Sequence, residues 1–208
     1  MSLKVLGLSA SPRTKGNSDL LLREALAGAE SEGAEVEHVA LRDLTIAPCV
    51  SCNACYKTGV CRVQDDYQAV FQKMLDADRL IFATPVYFMA VCAQGKLVID
   101  RCQCLWSRKY VLKEPVFDIG KRYRRGMVIA VGGSKSKKMF DSIRMTMKYY
   151  FDVLEIDYVS NLFVNRVDEK GDVLKHPSAM QEARRLGMRL VTDDGPTPEE
   201  PEMVGLFS

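Results

Sequence analysis

Short apolar runs alternate with amphipathic stretches along nearly the whole chain, and that rhythm restricts the architecture more than any single residue does. Residues 3–9 form an apolar run suited to a strand buried on both faces. Ser11, Pro12, Gly16 and Asn17 interrupt it, after which Leu20, Leu21, Leu22, Ala25, Leu26 and Ala29 recur on one helical face and Gly33 supplies a stop. Val36 to Leu41 predicts a second strand. A helix over Tyr67–Asp76 follows, with Asp65 and Gln68 spaced for a capping box, and then the strand Arg79–Thr84. Helices near Ala93–Trp106 and Lys138–Val153, strands over Gly126–Val131 and Ile156–Val164, and a last helix opening at Pro177 complete the pattern. Five such units predict an α/β chain with a doubly wound, five-stranded parallel sheet. One domain is expected over residues 1–192, with a cysteine-rich loop at 48–62. Residues 193–208, with three prolines, are expected to be flexible or to dock on a partner.

The bounds agree with a single core. The chain has 208 residues, 47% of them apolar and 27% charged. A formal charge of +2 is too small to point to a polyanion, so no nucleic-acid partner is expected. No leader pattern and no apolar run of membrane-spanning length is apparent, which leads to the expectation of a cytoplasmic protein without a membrane partner. Seven cysteines, four of them within thirteen residues, suit ligands or reduced thiols better than a disulfide framework.

Three loops follow three strands, where a doubly wound sheet binds its ligands. The first, residues 9–18, offers the hydroxyls of Ser9, Ser11, Thr14 and Ser18, the Asn17 amide and the Arg13 guanidinium at a helix N-terminus. It lacks the glycine pattern for a dinucleotide and the lysine ending of a triphosphate loop, so a terminal monophosphate fits best. An ordinary capped turn is the plain alternative. The second loop carries Pro85, Val86, Tyr87 and Phe88, a stiff apolar wall suited to a flat ring, although Tyr87 and Phe88 would equally serve as core. Gly132 and Gly133 in the third loop allow backbone to approach such a ring. Together the loops favour a flavin over the separate alternatives.

The phosphate loop SPRTKGNS, the segment PCVSCNACYKTGVC followed by Asp65 and Asp66, and ATPVYFMAVCAQGKLVIDR resemble the iron–sulfur flavoprotein branch of the NADPH-dependent FMN reductase-like family, over roughly residues 3–190. The resemblance implies a flavodoxin-like fold with strand order 2-1-3-4-5, one FMN per subunit and a homodimer or homotetramer. It implies that Ser11, Arg13, Asn17 and Ser18 hold the phosphate and that Pro85 to Phe88 border the isoalloxazine. A ferredoxin-like donor follows from the family. The insert between Trp106 and Gly126, the additional Cys92, Cys102 and Cys104, and the acidic tail depart from the family pattern.

Cys49, Cys52, Cys55 and Cys61 are spaced C-x2-C-x2-C-x5-C, compact enough for three thiolates to reach three corners of a cube while a fourth closes it. A 4Fe–4S cluster is the first reading. Reduced or redox-switching thiols are the second, and zinc, which usually takes two separated knuckles, the third. Cys92, Cys102 and Cys104 read as buried apolar residues. Arg101 reads as a solvated or interface residue, and Lys121, Arg122, Arg124 and Arg125 as a solvated face able to attract an acidic partner. Trp106 and Tyr110 are expected in an assembly contact.

The leading expectation is an FMN-dependent electron-transfer oxidoreductase whose flavin exchanges electrons with the cluster and passes them to a small-molecule acceptor. No catalytic acid or base is needed, because the flavin carries the chemistry. An NAD(P)H-dependent flavin or quinone reductase without a cluster, and a non-catalytic flavin-binding regulatory module, stand as alternatives.

Overall fold

The computed structural model describes residues 2–116 and 123–207. The strands are β1 (Lys4–Ser9), β2 (Glu35–Ala40), β3 (Arg79–Tyr87), β4 (Ala90–Val91), β5 (Arg125–Val131), β6 (Asp157–Val164) and β7 (Glu202–Leu206). The main helices are α1 (Asn17–Ser31), α2 (Cys55–Thr58), α3 (Tyr67–Asp76), α4 (Ala93–Arg101), α5 (Gln103–Trp106), α6 (Asp141–Val153) and α7 (Ala179–Thr192). The sheet runs β2-β1-β3-β5-β6-β7 with every neighbour parallel, while β4 pairs antiparallel with β3.

Alternation along the inner strands decides which face each side chain joins. Leu80 and Phe82 of β3 pack with Val70, Val98 and Tyr150 from α3, α4 and α6. Ile81 and Ala83 pack on the other face with Leu22 of α1 and Leu186 of α7. Helices α1 and α7 lie so close that a Cβ on Gly28 would strike the Arg184 carbonyl, and one on Gly187 would strike the Ala25 carbonyl. The capping box predicted at α3 forms in part: Asp65 N–H donates to Gln68 Oε1 at 2.9 Å, but Asp65 Oδ1 accepts from Tyr67 N–H at 3.0 Å rather than from Gln68, and the helix starts after Asp66.

Three expectations are corrected. Among the described residues the sheet has seven strands and not five. One addition is β4, which folds back on a β3 extended as far as Tyr87. The turn between them places Phe88 and Met89 at φ 48° and 61°, the paired left-handed geometry of a tight hairpin. The other addition is β7. The tail expected to be flexible or partner-docked instead pairs with β6 from Ser160–Glu202 to Val164–Leu206, and so covers a strand edge that would otherwise stand open. Arg189 anchors it through Glu202 at 2.7 Å. In the basic run, Arg124 and Arg125 are buried and not solvated: Arg124 closes the amino end of the sheet through the carbonyls of Ala77 at 2.9 Å and Leu154 at 2.6 Å. Lys121 and Arg122 lie outside the described residues.

Candidate functional site

Strand order reverses between β1 and β3, whose neighbours lie on opposite sides, and a crevice opens beyond the carboxyl ends there. Ser11, Arg13, Asn17 and Ser18 line it from the first loop, together with Pro85, Val86 and Tyr87 from β3. Gly132 and Gly133 line it after β5, and the space enclosed is about 50 Å³. The three loops therefore meet in one place. Ser9 and Phe88 do not line this crevice: Ser9 is buried at the end of β1, and Phe88 is fully exposed at the hairpin tip.

A fourth loop, after β6, carries no distinctive sequence signal yet joins the site. Arg13 Nη1 donates to the Asp168 carbonyl at 2.9 Å, and Asn17 Nδ2 donates to the Glu169 carbonyl at 2.8 Å. The Asn17 carbonyl accepts from the N–H groups of Gly171 at 2.9 Å and Val173 at 3.3 Å. Asn17 thus braces the loop as well as facing the crevice. Ser11 Oγ is turned into its own loop, accepting from Arg13 N–H at 3.2 Å. Gly132 lies tight against Met139, whose sulfur would stand 2.6 Å from a Cβ there.

The residues present fit a phosphate. Helix α1 starts after Gly16 with no side-chain cap, leaving its first N–H groups directed outward, and the buried Ser18 hydroxyl has no partner. Asp19 lies beneath with His38 at 2.7 Å and Arg23 at 3.1 Å. Burial would raise its carboxyl, but the hydrogen bonds with His38 and Arg23 prevail and hold it well below the ordinary carboxylate range.

The cysteine loop builds a second cavity, of about 340 Å³, lined by Cys49, Cys52, Cys55 and Cys61. Ser51 and Asn53, between the cysteines, adopt left-handed backbone at φ 49° and 55°. Helix α2 then ends on Gly59, also left-handed at φ 66°. Burial pushes the Cys55 thiol up, reinforced by Cys61, Cys49 and Cys52 nearby. Among the described residues, no three His, Cys, Asp or Glu side chains converge on a single metal-ion position. Cys92, Cys102 and Cys104 are buried as expected, yet Cys104 also lines the cavity, and burial pushes its thiol up to about 11.

Arg101 overturns its sequence reading. It is 1% exposed, and its Nε donates to Cys61 Sγ at 3.2 Å. Nη1 donates to the Ala47 carbonyl at 3.0 Å and Asp65 Oδ2 at 2.8 Å, Nη2 to the Val63 carbonyl at 2.9 Å, and the guanidinium lies 4.5 Å from the Tyr67 ring centre. Burial opposes ionisation of Asp65, but Arg101 and the N–H groups of Ala47 and Tyr67 hold it below its ordinary value. The nearest sequence signal is the Asp65-Asp66 pair, an acidic end to the cysteine loop that calls for a cation.

Fold and crevice together define a flavin-dependent oxidoreductase of flavodoxin-like architecture. Residues 3–163 match the model of the NADPH-dependent FMN reductase family. An iron–sulfur flavoprotein from Methanocaldococcus jannaschii is 37% identical over 150 residues, 71% of this chain and 72% of that one. Another from Archaeoglobus fulgidus is 35% identical over 146 residues, 70% of each. The chain therefore belongs to the NADPH-dependent FMN reductase family, in its iron–sulfur flavoprotein branch. Among solved structures, an NAD(P)H:quinone oxidoreductase from Methanothermobacter marburgensis superposes with a TM-score of 0.66 over 94% of this chain and all of that one; at 16% identity this likeness concerns the fold alone. Among the described residues no helix is long and apolar enough to cross a membrane.

Proposed function

We propose that this chain is an FMN-dependent electron-transfer oxidoreductase in which Cys49, Cys52, Cys55 and Cys61 hold a 4Fe–4S cluster that exchanges electrons with the flavin. The observation that carries the reading is that Cys49, Cys52, Cys55 and Cys61 line one cavity, with a guanidinium against the Cys61 sulfur. At roughly 30 Å³ per water, about 340 Å³ exceeds what a single ion needs. The cysteine loop follows β2, whose carboxyl end lies on the same side of the sheet as the crevice.

Bound FMN supplies two-electron chemistry and a bound cluster one-electron chemistry. The chain supplies binding and orientation. The α1 N-terminus, Ser18 and Arg13 receive the phosphate, with Ser11 and Asn17 shaping the loop around it. Pro85, Val86 and Tyr87 border the ring, and the Gly132-Gly133 turn offers its backbone. Phe88 and Ser9 take part only at second hand, one from the exposed hairpin tip and one beneath the loop. The donor is a nicotinamide or a ferredoxin-like carrier, and the acceptor a small molecule. The exposed Tyr110, Tyr149, Phe88 and half-exposed Trp106 suit burial in a homodimer or homotetramer.

The test is cofactor analysis of protein prepared without oxygen. The expected result is one FMN with about four irons and four acid-labile sulfides per chain. Protein holding FMN but no iron, with a flavin band bleached by NADPH, would instead establish the cluster-free reductase.

A further inference from the structure

We infer that Arg101 is a positioning residue for the cluster: its guanidinium clasps the two ends of the cysteine loop and donates a charged hydrogen bond to the Cys61 sulfur, raising the reduction potential and slowing loss of iron. The inference rests on the proposed cluster and goes beyond it by assigning a residue of α4 that is no ligand.

A guanidinium has five N–H donors in a fixed plane. Four bonds from Arg101 end on one segment of chain. Ala47 lies just before the first ligand; Cys61, Val63 and Asp65 are the last ligand and the residues after it. Asp65 Oδ2 also accepts from Ala47 N–H at 2.9 Å, so one ion pair joins the start and finish of the loop. Both partners are removed from water, with Arg101 fully buried and Asp65 11% exposed at its side chain. Such a pair is costly to break, because the remaining charge stays buried without a partner.

The bond to sulfur gives the clasp a redox consequence. Hydrogen bonds and positive charge at ligand sulfurs stabilise the reduced, more negative form of a cluster and raise its potential. Groups behind metal ligands also fix their orientation, and their loss typically costs tenfold to a hundredfold in metal affinity or activity. Lysine cannot replace the arrangement, since a single ammonium with three donors does not reach four acceptors spread around a planar fork.

The experiment compares anaerobic wild-type protein with Arg101→Gln and Arg101→Lys, reading bound FMN, the cluster midpoint potential in a spectroscopic redox titration, and the rate at which a chelator strips iron. Arg101→Gln is expected to keep FMN, to shift the potential negative, and to lose iron about tenfold to a hundredfold faster. Arg101→Lys should fall between it and wild type. A purely structural arginine would change folding stability and leave the potential unmoved. Unchanged potential and stripping rate in Arg101→Gln overturn the inference while leaving the cluster reading intact. Wild-type protein without iron overturns both. If neither variant folds well enough to hold FMN, Asp65→Asn decides: it keeps the guanidinium and releases its anchor, so faster iron loss with FMN retained supports the clasp, and wild-type iron loss overturns it.

Discussion

The flavin crevice and the cysteine cavity are built by opposite strategies. The crevice gathers loops from the ends of β1, β3, β5 and β6, and each loop is held by the strand before it. Arg13 and Asn17 join loops more than 150 residues apart in sequence. The cysteine cavity uses one loop whose four cysteines fall between positions 49 and 61, resting on α4 and α5 and fastened by the Arg101 guanidinium and by Ser107 Oγ, which donates to the Cys55 carbonyl. A site carried by the whole sheet tolerates the loss of one side chain, whereas a site on one loop depends on its fastening.

Replacing Cys55 with Ser breaks that comparison most sharply. Iron should fall from about four per chain to none, because a harder oxygen donor is a poor substitute for thiolate, while FMN stays bound. Loss of FMN together with iron would show that the two regions are one cooperative site. Gly187→Ala makes the reverse cut. Its methyl group would enter the backbone of α1 at Ala25, and overpacking of this kind costs roughly 1–3 kcal/mol. A lower urea midpoint with weakened FMN binding and unchanged iron is expected.

Arg13→Ala is the more local test of the crevice. Losing a charge-assisted bond of roughly 1.5–3 kcal/mol should weaken FMN about tenfold to a hundredfold, as measured by equilibrium titration of the apoprotein, with the unfolding midpoint kept. Asn17→Ala should lower both, since Asn17 also braces the 168–173 loop. Unchanged affinity in both variants would remove the phosphate assignment.

The smallest effect concerns acid. Asp19 beneath the crevice is held well below the roughly 3.9 of an unfolded aspartate. Its stabilising contribution is therefore present above about pH 4 and is lost as pH falls toward the folded-state value. Asp19→Asn should flatten the stability profile below about pH 4 in urea titrations. An unaltered slope would show that the His38 and Arg23 contacts carry no linkage.

Much of the frame is legible in the order of residues alone. Alternating periods place β1, β2, β3, β5 and β6, and the Asp65–Gln68 spacing announces the start of α3. What local pattern misses is short or distant. Residues Glu202–Leu206 follow a proline- and acid-rich stretch, and Gly205 interrupts their short apolar run; pairing with the open β6 edge makes them a strand. Arg124 and Arg125 look like part of a solvated basic run, but at the start of β5 Arg124 donates to the carbonyls of Ala77 and Leu154 and Arg125 to that of Gly195.

By itself the sequence determined the order of elements, the three loops that follow β1, β3 and β5, and the close spacing of four thiols, because these depend on neighbours a few residues apart. Only the tertiary structure decided that Arg101, 40 residues beyond Cys61, is buried against it, and that Asn17, which lines the crevice, gives its hydrogen bonds to a loop more than 150 residues away. A buried cation or amide goes where unsatisfied carbonyls and carboxylates collect, and the packed chain alone brings those groups together.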